Sequence, residues 1–438
     1  MREMKDSGVE WIGVIPKKWD VRKLNDVACK ITDYVASGSF ADLNKNVEYL
    51  DEPDYAMLVR TADLSGTRDK RVFINQHAYE FLSNSNLFGG EIILSNIGSV
   101  GNVYLFSPMY KRCSLAPNSI MIDGCPDNRY VYYWFQNPLV NDELKRIGGN
   151  AVQLKFNKTQ LRQFKVLCPP LGEQRKIADY LDYKCALIDS IIVKQEAIIE
   201  KLKEYKLSII TEAVTKGLNP DVEMKDTDSE WIRRIPSHAK ITRCGHLYDI
   251  ILGKMLTPNK TKDDETLEKY YCAANVHFDG VNDTELKTMW FSSRDREVYK
   301  VKNGDLLVVE GGAGAGGAAL VENSQNNCYI QNSILIARSK HDCLLNRWLY
   351  YMLYSLVKRG YIDLVCNKAT IPHFTKEKLC DVPIVVFSKQ ENCQIIAYLD
   401  RACSYIDTTI QNKSNVIDKL KEYKKSIIYE VVTGKKEV

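Results

Sequence analysis

A glycine-rich stretch at 306–321, LLVVEGGAGAGGAALV, is the first part of the chain whose residue spacing could support chemistry. Gly312, Gly314 and Gly317 fit the G-x-G-x-x-G pattern of dinucleotide-binding loops, and an apolar, strand-like run precedes them. In such loops the glycines open a helix whose amino end holds the pyrophosphate. Here polar residues 322–324 and a second strand-like run follow the glycines. We therefore predict a glycine turn between two strands and no cofactor.

Other catalytic motifs fail when their context is considered. Pro126-Asp127 and Glu143-Leu144-Lys145 resemble a P-D…E-x-K nuclease, but the second group lies in a helical pattern running from Asp127 to Arg146. The single Pro-Pro, in CPPL at 168–171, lacks the flanking residues of an amino-directed DNA methylase. No Lys-Ser/Thr follows the glycines, no two of the 13 cysteines form C-x-x-C, and the six histidines form no H-E-x-x-H. We predict neither a catalytic nor a metal site.

Composition is typical of a globular protein and leaves its partners open. The 438 residues are 45% hydrophobic and 26% charged, which is enough for two or three domains with their own cores. A net charge of +4 neither indicates nor excludes DNA binding, so a basic footprint would have to be local. We expect no membrane span and no secretory leader, and the unpaired pattern of cysteines favours a cytoplasmic location.

The chain is a tandem duplication. KLKEYKLSIITEAVT at 201–215 recurs as KLKEYKKSIIYEVVT at 419–433, 218 residues later. NRYVYYWF at 128–135 matches NRWLYYML at 346–353 with the same offset, and KDSGVEWIGVIP at 5–16 matches KDTDSEWIRRIP at 225–236. Repeats of this kind indicate two copies of one structural plan.

Each copy has two regimes. The first part contains short strand-like runs and an amphipathic helix, for example strand, glycine turn and strand at 88–106 and further strands at 118–122 and 332–337. This pattern predicts an α+β globular domain. Each copy then ends in apolar residues that step by four and three, which is the seam of a coiled coil. The predicted packing residues are Leu181, Ile188, Ile192, Ile199, Leu202, Ile209, Leu399, Ile406, Ile410, Ile417, Leu420 and Ile427.

Polar positions interrupt this seam, and a second stripe flanks it. Gln195 with Lys413 and Lys206 with Lys424 occupy seam positions of the two copies, where polar residues can set helix register. Ile191, Ile198 and Tyr205 form the flanking stripe, from which we expect burial of more than one partner helix.

Local clusters of basic and amide side chains predict nucleic-acid binding. Residues 141–165 carry four more basic than acidic side chains, with asparagine and glutamine among them. Lysine and arginine bind phosphate or guanine, and asparagine and glutamine pair with adenine edges. The candidate DNA-binding residues are Arg60, Lys70, Arg71, Lys111, Arg112, Lys155, Asn157, Lys158, Lys254, Lys260, Arg338, Lys368, Thr370 and His373.

Two motifs and the duplicated plan together resemble a known family. The pattern K-D-S-G-x-E-W-I-G-x-I-P at 5–16 and P-P-L-x-E-Q-x-K-I-A-x-Y-L-D at 169–182 resemble the specificity subunit of type I restriction–modification systems. The resemblance covers essentially the whole chain. It implies target-recognition domains at 1–170 and 218–388, and conserved spacer helices at 171–217 and 389–438 that pack as an antiparallel coiled coil.

The resemblance also implies a function without catalysis by this chain. Each recognition domain would read one half of a split site in double-stranded DNA. The helices would dock two modification (methyltransferase) subunits, which bind S-adenosylmethionine and methylate adenine, and restriction subunits would join for cleavage. Copy two departs from the motif, with Phe387-Ser388-Lys389 in place of Pro169-Pro170-Leu171, so the docking surfaces need not be equivalent.

Two alternatives stay open at this point. One is a coiled-coil adaptor that binds protein and not DNA, which salt-dependent DNA binding would distinguish. The other is the specificity module of a single-chain restriction-methylase system, which a neighbouring reading frame for a separate methylase would argue against. For the glycine turn, we expect Gly314→Val to harm folding or recognition of the second half-site, since glycines permit positive φ and close approach.

Overall fold

A computed structural model describes residues 2–67, 69–98, 100–149, 154–322, 327–341, 344–366 and 372–438. The chain forms two compact units, one from Met1–Gln195 with Ser414–Val438 and one from Glu196–Lys413. Each unit contains one globular domain and about half of each of two long helices. The units therefore cut across the division into recognition domains and spacer helices, which stays a prediction.

An antiparallel four-stranded sheet organises the globular domain of the first unit. Its order is Lys30–Asp33, Ser119–Asp123, Ile92–Ser95 and Val103–Leu105. Successive side chains of a strand point to opposite faces. Ile92 and Leu94 accordingly pack with the aromatic helix residues Tyr130 and Trp134, whereas Ile93 faces a separate core. The sheet is buried on both faces, which explains why its two central strands, Ser119–Asp123 and Ile92–Ser95, are mostly apolar.

The second core of this unit lies between that sheet and a smaller one. The smaller sheet has the order Phe73–Ile74, Ala56–Val59, Cys113–Leu115 and Asn86–Leu87. Cys113–Leu115 runs parallel to Ala56–Val59, and the other neighbours are antiparallel. Because the two central strands are parallel, their carboxyl ends lie at the same edge of the sheet.

The second unit repeats both sheets. Its larger sheet has the order Tyr248–Leu252, Ile334–Ser339, Leu306–Val309 and Ala318–Leu320, all antiparallel. The smaller has three strands in the order Lys287–Phe291, Thr266–Tyr271 and Cys328–Ile330, and its last pair is again parallel. The strands predicted on either side of the glycine-rich stretch are therefore confirmed, and they pair through an ordinary hairpin.

Short strand pairs and helices complete each globular domain. The paired strands are Met4–Asp6 with Val14–Pro16, Asp20–Lys23 with Lys165–Cys168, Met224–Asp226 with Arg234–Pro236, Lys240–Arg243 with Pro383–Val386, and Val276–His277 with Gly280–Val281. The shorter α-helices are Phe40–Asn46, Thr61–Leu64, Gln76–Phe81, Asn128–Gln136, Pro138–Ile147, Lys158–Arg162, Cys244–Leu247, Ser293–Val298, Leu344–Lys358, Tyr361–Val365 and Lys376–Cys380. Single 3-10 turns form at Leu24–Asp26, Tyr34–Ser37, Ser83–Ser85 and Ala273–Asn275.

The amphipathic helix predicted from Asp127 to Arg146 is two helices. Asn128–Gln136 ends before Asn137, and Pro138–Ile147 begins directly after it. Proline disfavours a helical conformation in the residue that precedes it, and it is accepted in the first turn of a new helix. The Asn137 side chain accepts a hydrogen bond from the Leu139 N–H and so caps the second helix.

Two long helices, Leu171–Lys216 and Lys389–Val432, follow the globular domains. The first has 46 residues, about 70 Å at the usual rise per residue. The helices pack antiparallel, as predicted, and Lys424 Nζ lies 2.7 Å from Asp189 while Lys206 Nζ lies 2.7 Å from Asp407. These two ion pairs occupy the same position in the two copies. Each links one long helix to the other, the kind of polar contact expected to set register.

The predicted packing residues lie on the inner faces of these helices. Leu202, Ile410 and Leu420 are partly buried. The fully buried ones are Leu181, Ile188, Ile192, Ile199, Ile209, Leu399, Ile406, Ile417 and Ile427. Ile198 and Tyr205 from the flanking stripe are exposed within this chain. Ile191 of the same stripe is partly buried. The α+β fold class with an antiparallel pair of long helices is thus confirmed, whereas the flanking stripe is buried within the chain only at Ile191.

Candidate nucleic-acid interface

The glycine turn of each unit is joined to a second segment from later in the chain. In the first unit, Ile97 forms a bridge with Lys155, and the Asn96 side-chain amide donates to the Phe156 carbonyl at 3.0 Å. In the second unit, Gly311 bridges His373. The structure therefore brings the glycine turns into contact with the segments in which the sequence predicted basic DNA-binding residues.

Tight packing explains why both turns contain glycine. Gly101 has φ +89° and Gly316 has φ +80°, and the two glycines occupy equivalent positions. A Cβ on Gly101 would lie 2.5 Å from Asn141 Nδ2, and one on Gly316 would lie 2.5 Å from Ile362 Cδ1. Gly314, in contrast, has no positive φ, and its nearest neighbour would be 3.9 Å away. We expected a side chain at position 314 to be harmful, but the position in this turn that requires glycine is Gly316.

Three predicted cationic residues of the first unit lie at the same end of the small sheet. Arg60 follows the strand Ala56–Val59, and antiparallel pairing of that strand places Lys70 and Arg71 beside it. The Arg60 guanidinium donates to Asp63 at 2.8 and 2.9 Å and also to the Lys70 carbonyl. The hydrogen bond to Asp63 raises the pKa of Arg60. Arg60 therefore holds the residues at this edge of the small sheet in place. The Arg71 side chain, in contrast, is exposed.

Other predicted residues near the turns also have internal partners. Lys158 forms an ion pair with Asp33 at 2.8 Å, and Asn157 caps the following helix by accepting from the Gln160 N–H at 2.9 Å. Lys254 binds Asp295 and the Trp290 carbonyl, both at 2.7 Å. Such contacts fix the backbone of the surrounding loops.

The more exposed predicted residues have fewer constraints. Lys155 is exposed, Lys70 pairs with Asp51 at the surface, and Lys260 lies over the Trp290 ring. His373 Nδ1 lies 3.2 Å from Glu310 Oε2, and the His373 side chain is 58% exposed. These side chains are able to reach an external ligand.

Three predicted residues lie away from the glycine turns. Lys111 and Arg112 precede the strand Cys113–Leu115 and so lie at the edge opposite Arg60, where Arg112 stacks on Tyr55. Arg338 pairs with Asp305 at the start of Leu306–Val309, whereas the glycine turn follows the end of that strand. Lys368 and Thr370 lie outside the described residues.

Sequence reasoning missed two residues at the base of the turns. Asn96 is buried, and its Oδ1 has no hydrogen-bond partner within the described residues. At the equivalent position of the second unit stands Glu310, which faces His373. Aligning the two copies through the strands before the turns would have revealed this change from amide to carboxylate.

Comparison with known proteins agrees with this architecture. The family model for the type I restriction modification DNA specificity domain matches residues 16–204. Over 259 residues the chain is 27% identical to the putative type I restriction enzyme MjaX specificity subunit of Methanocaldococcus jannaschii, with 56% of each chain covered. These matches make the chain similar to the specificity subunits of type I restriction–modification systems.

Other specificity subunits are also similar to this chain. The EcoKI specificity subunit of Escherichia coli K12 is 18% identical over 326 residues, which cover 73% of this chain and 67% of the relative. The chain spans 56% of the MjaX subunit and 43% of the MjaIX subunit that it matches. One chain from a structure that describes assembly and conformational transition of a type I R-M system has a TM-score of 0.68 at 16% identity, with 96% and 99% of the two chains covered.

No helix in the described ranges is long and apolar enough to cross a membrane. Within the same ranges, no group of three or more His, Cys, Asp or Glu side chains could hold a metal ion.

Proposed function

We propose that this chain reads a two-part sequence in double-stranded DNA, with one half-site for each recognition domain. It would hold two methyltransferase subunits against that site for adenine methylation, and restriction subunits would join for cleavage. The observation that supports this most strongly is the pair of glycine turns. The two turns connect equivalent strands of the two units, yet they carry different side chains. This is expected if the two domains recognise two different half-sites.

The geometry suggests a division of labour among the candidate residues. Arg71, Lys155, Lys260 and His373 are the residues that we assign to direct contact with DNA, because their side chains are exposed. The residues with internal partners, Arg60, Asn157, Lys158 and Lys254, would order the loops that carry those contacts. Lys70, Lys111, Arg112, Arg338, Lys368 and Thr370 remain candidates for phosphate contacts.

Exposed apolar residues on the long helices support docking of two methyltransferase subunits. Leu187 and Tyr405 are equivalent positions of the two copies, and both are exposed. The same is true of Ile198 with Val416 and of Tyr205 with Tyr423. Large apolar side chains repeated on a solvent-facing surface are typical of an interaction site. We propose that each compact unit binds one methyltransferase subunit through its own three residues, which are Leu187, Val416 and Tyr423 in the first unit and Ile198, Tyr205 and Tyr405 in the second. The methyltransferase subunit would carry the S-adenosylmethionine.

A salt titration of DNA binding tests this function against the adaptor alternative. For the chain in complex with its methyltransferase subunits, we expect affinity for DNA to fall steeply with salt, since phosphate contacts release counterions. Lys155→Ala should weaken binding and reduce the salt slope by about 1. The matched control is Lys201→Ala, which removes an exposed lysine from the long helix and should leave the slope unchanged. Binding that is absent, or independent of salt, would favour the adaptor.

A further inference from the structure

A cluster of hydrogen-bonded side chains links each globular domain to a long helix. In the first unit, Tyr133 donates to Asp182 Oδ1 at 2.8 Å, and Arg129 donates to Asp182 Oδ2 at 2.9 Å. Tyr133 and Arg129 belong to the helix Asn128–Gln136, and Asp182 belongs to the first long helix. A charged acceptor makes such hydrogen bonds stronger than neutral ones.

The second unit builds the same cluster 218 residues later. Tyr351 donates to Asp400 Oδ1 at 2.6 Å, and Arg347 pairs with Asp400 at 2.8 Å. Burial and the hydrogen bond to the aspartate raise the pKa of both Tyr133 and Tyr351, so both hydroxyls stay protonated and able to donate. We call each set of arginine, tyrosine and aspartate a latch.

Each latch is connected to the glycine turn of its own unit. Asn128, next to Arg129, donates to the Gly90 carbonyl at 2.9 Å, just before the strand Ile92–Ser95 that leads to the turn. Asn346 likewise donates to the Gly304 carbonyl at 2.6 Å, before Leu306–Val309. Short, directional contacts therefore run from the long helix through one short helix and one strand to the candidate interface.

The two copies keep the latch while they change the interface. Asparagine, arginine and tyrosine recur at 128, 129 and 133 and at 346, 347 and 351, and the aspartates recur at 182 and 400. At the turns, Asn96 is replaced by Glu310, and Lys155 by His373. A structural link that served only stability could be replaced by other packing. Its retention fits a requirement that both domains hold one fixed direction on their helices.

We propose that the two latches are positioning devices that set how far apart, and at what angle, the two half-sites must lie. This inference rests on the proposed function. One extra base pair shifts a half-site by about 3.4 Å and rotates it by about 35° around the duplex. A domain held at one angle rejects such a change, whereas a domain released from its latch can turn to accept it.

The test compares the spacer lengths used by latch variants of the full complex. Cells would express the chain with its methyltransferase subunits, and sequencing would record every methylated adenine. The variants are Asp182→Asn, which keeps side-chain volume, and Tyr133→Phe, which removes one hydroxyl. Asp418→Asn is the matched control, because Asp418 is an exposed aspartate on the second long helix. Melting temperature of each purified complex reports folding.

We expect the wild type and the control to methylate sites with one spacer length. The latch variants should also methylate sites one base pair longer and shorter, at about a tenth or more of the native frequency, and a tenfold ratio corresponds to about 1.4 kcal/mol. The half-sites themselves should not change. A folded Tyr133→Phe complex that uses only the native spacer, or loses methylation uniformly, overturns the latch. A wild type without two half-sites overturns the proposed function itself.

Discussion

The two units share one architecture but differ in individual side chains. Some differences preserve a hydrogen bond of the framework, whereas those at the glycine turns change the chemistry of the candidate DNA-binding surface. Tyr130 in the first unit donates its hydroxyl to the Leu167 carbonyl at 2.8 Å. At the equivalent place in the second unit, the Trp348 indole donates to the Val385 carbonyl at 3.0 Å. The framework therefore preserves a hydrogen bond even where it changes the residue. At the glycine turns, in contrast, the chemistry itself changes, from a neutral amide at Asn96 to a carboxylate at Glu310.

A second difference lies where each long helix begins. In the first unit, Trp19 Nε1 donates to Glu173 at 2.8 Å, and Arg2 also pairs with this carboxylate. In the second unit Ala239 replaces Trp19, and His238 lies 3.0 Å from Glu391 instead. Both helices have an acidic side chain in the first turn, where its negative charge interacts favourably with the positive end of the helix dipole. The different neighbours support the expectation that the two helix starts are not equivalent surfaces.

The largest expected effect on the recognised DNA sequence comes from exchanging one recognition domain. Replacing residues 1–150 with the corresponding domain of another specificity subunit should change one half-site completely and leave the other unchanged, because each unit has its own core. Sequencing of methylated adenines would show the altered half-site. Changes in both half-sites would mean that the two units do not read DNA independently.

A smaller effect is expected on stability, where substitutions at Gly316 and Gly314 of the second turn should differ in their cost. We expect Gly316→Ala to destabilise the chain by about 2–4 kcal/mol, since it combines an unfavourable positive φ with a clash against Ile362. Gly314→Ala, which meets no close neighbour, should cost less than about 1 kcal/mol. Urea unfolding measures both values. Equal losses for the two variants would contradict the assignment of the strained position.

The two inter-helix ion pairs provide a matched comparison of burial. The Lys206 side chain is 9% exposed, whereas the equivalent Lys424 side chain is 25% exposed. Lys206→Ala should therefore cost about 1–3 kcal/mol through lost packing and pairing, and Lys424→Ala about 1 kcal/mol or less. Thermal unfolding of the two variants side by side would show the order. A larger loss for Lys424→Ala would reverse the comparison.

The smallest effect concerns thiol reactivity at the helix seam. Burial raises the pKa of Cys185, and it raises the pKa of the equivalent Cys403 to about 11. Because the thiolate is the reactive form, both thiols should resist maleimide at neutral pH, while the exposed Cys29 is labelled. Mass spectrometry of labelled peptides would test this. Rapid labelling of Cys403 in the native protein would show that the seam opens.

Residue spacing predicted the features that depend on local order. The heptad steps predicted the buried faces of the long helices, and the missing helix after Gly317 indicated a hairpin. Pro138 was visible in the sequence, yet the strong apolar pattern around it hid the break between two helices. Contacts between distant residues were not predictable. Lys158 with Asp33 and Arg338 with Asp305 looked like free cations, because their partners are brought near only by folding.

The central claim is our proposal that one chain reads two half-sites, one through each recognition domain, with a constant spacer in the DNA between them. Methylated adenines should be mapped by sequencing DNA from cells that express this chain with its methyltransferase subunits. Our account predicts one dominant site with two different half-sites and a constant unread spacer. A variant with a few helical residues inserted near Gln195 should keep both half-sites and change only the spacer. A contiguous site, or altered half-sites with an unchanged spacer after the insertion, would contradict the account.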